Sequence, residues 1–367
     1  MIIKKTALQL PDFGNFTDII AVHLACQDGF SVSLTSLGAS IRQIKYPSSN
    51  GDLKNIALAF AEESAYLSNP LYAGATLAPT AGRISCGLLP LENRVYDLSK
   101  NENNRHNLHG GFQNASFQNW QLLSAEQKED QAMISFGLTL PDGLDGFPGN
   151  RQLKAVYTLT EEHRLTLKYE AVSDQDTYFN LSNHCYFNLS GDFSHAATAQ
   201  LLQIHADRYV CNAPDFIPEG TAEVEGTPFD FRHPKSLDQQ LSAFPENIQL
   251  IRNQGYNHGF VLTHADQEPD LACALPDSSL QLFISSDAPC MVLYSGGYIE
   301  EGLKLADGQH STASCALAFE FQDYPDAPGG HGFPYSITPA GKLWERTICY
   351  QFIFQSSQTR RSDNFTP

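Results

Sequence analysis

"RQLKAVYTLTEEHRLTLKYEAV", residues 151–172, alternates apolar and polar side chains on either side of the short connection Glu161-Glu162-His163. Successive side chains of an extended chain point to opposite faces, so the pattern gives two half-buried strands joined as a β-hairpin. The same period of two recurs in "ISFGLTL" (134–140), "LQLFIS" (280–285), "CMVLYSGGY" (290–298), "ALAFEFQ" (316–322) and "TICYQFIF" (347–354). The chain's 26 glycines and 20 prolines interrupt it often enough that few segments can hold a long helix. Many short strands separated by turn signals predict an all-β fold, a large antiparallel β-sandwich, rather than alternating βαβ units. No linker or internal repeat is visible, so residues 1–367 are expected to form one domain. The polar end "QSSQTRRSDNFTP" (355–367) is expected to fray.

At 367 residues and 42% hydrophobic, the chain can bury a full core. Its 23 Lys and Arg against 41 Asp and Glu give a formal net charge of −18, which repels nucleic-acid backbones and anionic membranes. Neither is expected as a partner. The opening "MIIKKTALQLPDFGNF" has no apolar stretch after its lysines, and no run of ~18 apolar residues occurs, which predicts a cytoplasmic protein. Eight cysteines lie singly, without a C-x-x-C pair and partly inside apolar strands. They read as small buried hydrophobes in a reducing compartment rather than as disulfides.

Four stretches carry candidate chemistry. In "NRHNLHGGFQNAS" (104–116), His106 and His109 stand three apart, a spacing compatible with metal ligation, but without nearby cysteines or an H-E-x-x-H pattern a glycine-rich loop that lets a ligand approach the backbone is the favoured reading. "AGRISCG" (81–87) sets Arg83 where it can form a structural salt bridge or act as a bidentate donor to a ligand. In "ALAFEFQDYPDAPGG" (316–330), strand alternation places Ala316, Ala318, Glu320 and Gln322 on one face, a carboxylate and an amide beside small residues, as in a cleft wall. In "NLSNHCYFNLSG" (180–191), read as a strand, Asn180, Ser182, His184, Tyr186 and Asn188 share one face. That strip suits a polyhydroxyl ligand, and His184 with Glu320 offers an imidazole and a carboxylate for acid–base work.

From about residue 70 to residue 352 the chain resembles the aldose 1-epimerase (galactose mutarotase) family. The resemblance rests on "GATLAPTAGRISCG", "NLHGG", "DGLDGFPGN", "NLSNHCYFNLSG", "GTPFDFR", "GYNHGFVL", "VLYSGGYIE" and "FEFQDYPDAP" in the family's order. It implies a galactose mutarotase-like supersandwich with an open sugar-binding cleft, no cofactor and no metal. The implied reaction interconverts the α and β anomers of a free, neutral aldohexose, carried by a monomer or homodimer. Carried over by motif, Glu320 is the general base and His184 the general acid, with Arg83 and His109 positioning the sugar. The chain departs from the family in "APTAGRI", where Pro79 and Gly82 replace an arginine and an asparagine, and in "GYNH", where Asn257 replaces an acidic sugar contact. The alternatives are a hexose-6-phosphate mutarotase, which needs more cations than Arg83 supplies, and a non-catalytic sugar-binding or sensor protein.

Overall fold

The computed structural model describes residues 1–8, 18–48, 51–92, 94–265 and 268–354, so the polar end 355–367 lies outside the described residues. Three antiparallel sheets dominate. A nine-stranded sheet runs in the order Gln121–Gln127, Gln131–Leu140, Arg151–Thr160, Arg164–Ser173, Trp344–Phe354, Leu280–Ser286, Leu271–Ala274, Leu201–Ile204, Lys235–Ser236. A six-stranded sheet follows the order Tyr186–Phe187, Leu317–Gln322, Cys290–Tyr294, Asn257–Leu262, Ala206–Asn212, Pro218–Glu223. Five strands between Ile2 and Asn55 pair in sequence order as a meander.

The hairpin at 151–173 forms as its alternation predicts, with Arg151 opposite Ser173 and Leu159 opposite Leu165. Leu153, Ala155, Tyr157 and Leu159 from one strand and Leu165, Leu167, Tyr169 and Ala171 from the other point inward. They meet Phe260, Met291, Leu293, Leu317, Phe319 and Phe321 of the six-stranded sheet and Val22, Leu24, Val32 and Leu34 of the meander in one apolar cluster. Burying such side chains contributes roughly 1.5–3 kcal/mol each, and two facing sheets bury them from both sides. The two α-helices among the described residues, Leu237–Ala243 and Ile248–Asn253, are both short.

Residues 180–191 depart from the single strand expected. Ser182–Asn183 pairs with Thr76–Leu77, whereas Tyr186–Phe187 pairs with Leu317 and Ala318 of the six-stranded sheet. Between these ladders the chain changes partner: His184 N–H donates to the Ala75 carbonyl at 3.0 Å, and Gly74 N–H donates to the His184 carbonyl at 3.0 Å. Asn183 covers the break, its Nδ2 donating to Gly74 O at 2.8 Å and its Oδ1 accepting from Cys185 N–H at 3.0 Å. The polar strip is therefore split. Asn180 and Asn188 bind protein backbone, Asn188 through Cys315 O at 2.8 Å and Asn180 through Asp323 N–H at 2.8 Å. Of the five residues expected on one face, only His184 and Tyr186 line the cleft described below.

Candidate active site

The outer face of the six-stranded sheet forms the floor of a cleft of about 480 Å3. Period-two alternation selects its residues: Asn257 and Gly259 from one strand, Val292 and Tyr294 from the next, Glu320 and Gln322 from the third. The register aligns Gly259 with Val292 and Val292 with Glu320, so these residues form a row across the sheet. Glu320 is a side chain aimed away from the core by the same alternation that sends Phe319 and Phe321 into it. Ala316 and Ala318, expected on the cleft wall, instead pack into a second apolar cluster with Tyr186 and Ile299.

Loops build the walls. Tyr72, Gly82 and Arg83 flank or end the short strands near residues 76 and 83, Glu102, Leu108 and His109 come from the next connection, and Phe216 follows Asn212 at the end of its strand, with Tyr298 at the rim. The loop carrying His184 is seated by Gly74: its φ is +66°, and a Cβ there would lie 1.8 Å from the Ile41 carbonyl oxygen. His109 has φ +51° and is followed by Gly110 and Gly111 in the same left-handed region. This tight backbone turns its ring inward. Gly82 N–H donates to His109 Nδ1 at 3.1 Å, so the neutral ring carries its proton on Nε2.

His184 Nε2 stands 3.4 Å from Glu320 Oε1, both side chains being buried. Desolvation raises the Glu320 carboxyl to about 8, with the Arg83 charge opposing the rise, and lowers His184 to about 4. His109 falls well below its ordinary value, first through burial and then through His184 and Arg83. The site thus resists net charge, and near neutral pH Glu320 keeps its proton while His184 stays neutral. His184 Nδ1 and Gln322 Oε1 are buried without a hydrogen-bond partner. Each is a polar atom whose desolvation is uncompensated until a ligand or water meets it.

Arg83 forms the structural salt bridge that one of its two sequence readings expects. Its Nε and Nη2 donate to the two carboxylate oxygens of Glu102 at 2.7 and 2.6 Å, and its guanidinium lies 4.8 Å from the centre of the Phe216 ring. It is a structural salt bridge inside the cleft, with Nη1 left for a ligand. Arg83 is also the only arginine or lysine among the described residues lining the cleft. His106, by contrast, turns away from His109. Its Nδ1 accepts from Cys86 N–H at 3.1 Å, and its Nε2 faces Asp215 Oδ2 at 3.5 Å, next to the Arg105–Asp215 pair at 2.8 Å. These contacts pin the 212–217 loop over the cleft.

The metal-capable group in the cleft is a different one from the histidine pair of the sequence: His109, His184 and Glu320 each offer a ligand atom within 4.8 Å of the others. The Gly82 bond holds the His109 proton on the nitrogen that faces inward. That donor set suits hydroxyl groups better than a cation.

A buried carboxyl and a buried imidazole 3.4 Å apart, with the unpaired Gln322 amide oxygen in the same cleft, meet the needs of acid–base chemistry on a polyhydroxylated ligand. The family model described as aldose 1-epimerase matches residues 21–351. The chain belongs to the aldose 1-epimerase family. It is 29% identical over 331 residues to the aldose 1-epimerase of Escherichia coli strain K12, covering 89% of this chain and 92% of that protein. The galactose mutarotase of Rattus norvegicus is also 29% identical, over 329 residues, with the same coverage. A solved galactose 1-epimerase from Lactobacillus acidophilus superposes with a TM-score of 0.83 at 28% identity, covering 96% of this chain and 99% of that one.

Within this family member, the cleft gathers all six candidate residues: Glu320, His184, Arg83, His109, Asn257 and Gln322. Asn257 keeps its side chain on the floor while its carbonyl accepts from Asn212 Nδ2 at 2.8 Å. Sequence reading missed Glu102, Phe216, Tyr72 and Tyr298. Glu102 lies in a polar loop with no periodicity to mark it. The aromatic three differ from core residues only in the loops that carry them, and loop aromatics were the one available signal.

Proposed function

We propose that the protein interconverts the anomers of a free, neutral aldohexose by opening and reclosing the pyranose ring. The observation that carries this reading is the buried His184–Glu320 pair, 3.4 Å apart on the floor of the cleft. Burial favours the proton on Glu320 without sugar, since Glu320 is raised to about 8 and His184 lowered to about 4. A sugar whose C1 hydroxyl donates to the carboxylate stabilises its ionised form and moves that proton toward His184. Glu320 then takes the C1 hydroxyl proton while His184 gives its proton to the ring oxygen. The C1–O5 bond breaks and a free aldehyde forms. Rotation about C1–C2 exposes the other face, and reclosure runs the same two transfers backwards. Such acid–base help is worth typically ~10²–10⁴-fold per group.

His109 Nε2–H, Arg83 Nη1, Gln322 Oε1 and the Asn257 amide serve as hydrogen-bonding contacts to sugar hydroxyls, two donors and two potential acceptors that hold the ring in place. A phosphorylated sugar is disfavoured because Glu102 already neutralises Arg83. The eight free cysteines suit a reducing cytoplasm.

The test is polarimetry on freshly dissolved α-D-glucose and α-D-galactose with catalytic amounts of protein, corrected for the spontaneous rate. Acceleration of at least one sugar is expected. Tight binding of an aldose with no acceleration of any aldose in a panel would make the protein a sugar binder instead.

A further inference from the structure

A second cluster of chemically active side chains lies apart from the cleft, where two hairpin turns meet. Cys26 and Asp28 belong to the turn between strands Ile19–Ala25 and Ser31–Thr35, and His163 to the turn that closes the 151–173 hairpin. The sulfur, a carboxylate oxygen and a ring nitrogen all lie within 4.8 Å of one another. None of the three lines the cleft.

The ligand atoms are held close together by their own hydrogen bonds, which an ion would replace. Asp28 Oδ1 accepts from Phe30 N–H at 3.0 Å, and Oδ2 is 2.7 Å from His163 Nε2. His163 has φ +60°, and its ring stacks on Phe354 with centroids 4.6 Å apart. Cys26 is buried, its sulfur 3.4 Å from the Thr160 carbonyl oxygen. Glu161 adds a second carboxylate to the same corner, its Oε2 accepting from Gln27 N–H at 3.0 Å. The other oxygen of Glu161 pairs with the Met1 ammonium, so the ligand set is the thiol, the imidazole and the Asp28 carboxylate, the composition of a borderline divalent-cation site. Tetrahedral zinc bonds of ~2.0–2.3 Å bring ligand atoms closer than 4.8 Å, an adjustment that the exposed Asp28 side chain can supply.

We propose that Cys26, Asp28 and His163 bind a zinc-class divalent ion that staples the two hairpin turns together, with a fourth position open to water. On binding, the ion takes the place of the proton that His163 Nε2 shares with Asp28 Oδ2, the ring keeping one proton on Nδ1 by a change of tautomer, and the Cys26 thiol releases its proton to solvent.

Cobalt(II) is the probe, added to the full-length chain after chelation and removal of the chelator, with a non-thiol reductant present. One equivalent is expected to produce a thiolate-to-cobalt charge-transfer band in the near ultraviolet, which zinc then abolishes. Cys26→Ser is expected to lose the band. So is His163→Asn, a change chosen because asparagine tolerates a left-handed backbone. Zinc is expected to raise the melting temperature of the parent and not of His163→Asn, with mutarotation unchanged in that variant. Absence of the band, or its survival in either variant, overturns the proposal. So does a zinc-induced melting shift that is equal in parent and His163→Asn. Failure of acid–base catalysis in the cleft leaves the cobalt band and the melting shifts untouched.

Discussion

Glu320 is a carboxyl group that burial has made reluctant to ionise, and that single property makes both its reactivity and its cost to the fold measurable. The pair it forms with His184 must hold one proton to work. Above about 8 that proton leaves Glu320, and below about 4 a second proton settles on His184. A bell-shaped pH profile of kcat/KM with limbs near those values is expected, whichever atom carries that proton at rest. Glu320→Gln keeps the shape and removes the base, so kcat should fall by about 10²-fold or more and the alkaline limb should disappear. The same variant should be more stable. A buried acid whose pKa is raised holds its proton in the folded chain after the unfolded chain has released it, so folding loses stability as pH rises from the usual carboxyl range through about 8. Denaturant unfolding at pH 8 should show the glutamine variant ahead of the parent by on the order of 1–3 kcal/mol, an advantage that shrinks toward pH 4. At position 257 the amide accepts a hydrogen bond without charge. Asn257→Asp should raise kcat/KM on glucose or galactose, by no more than one charge-assisted bond, ~1.5–3 kcal/mol. An aspartate variant identical to the parent on every aldose tested means that position 257 does not touch the sugar.

At the scale of the elements, the site depends on short, irregular pieces rather than on the long strands. The segment that carries His184 is held by a reciprocal exchange with residues 74 and 75. Gly74 permits this only because it lacks a side chain, since a Cβ there overlaps the Ile41 carbonyl. Gly74→Ala should therefore displace the His184 loop, lowering stability by roughly 1–3 kcal/mol and activity with it. Circular dichroism melting and polarimetry on the same sample read both. The two loops that bear Arg83 and Glu102 are joined by a bidentate pair. Because Glu102 fixes the guanidinium without being one of the proton-transfer groups, Glu102→Gln should raise KM by more than it lowers kcat. An equal fall in kcat and kcat/KM, with KM unchanged, would place Glu102 in the transition-state contacts instead.

The whole molecule carries a net charge of −18, yet the cleft offers an electrically balanced interior, with Arg83 matched by Glu102. A neutral sugar experiences no steering from that field, so kcat/KM on the preferred aldose should stay constant as salt rises from low to physiological strength. A marked increase with salt would point to an anionic substrate that the protein repels. The period-two pattern at 151–172 was enough to establish strands and their inward faces, because side-chain alternation is a local consequence of an extended backbone. The ordered motifs likewise brought Glu320, His184, Arg83, His109, Asn257 and Gln322 into view by residue type. Local pattern failed at 180–191, where a change of strand partner after Asn183 broke the alternation and only His184 and Tyr186 reached the cleft. It was also silent on Glu102, on the orphaned Gln322 oxygen, and on the corner where Cys26 meets His163. Each of those depends on which distant segments lie side by side and on how much water they exclude. Strand formation follows from neighbours along the chain, whereas pairing, desolvation and the shifted proton affinities of Glu320 and His184 exist only once the sheets have packed.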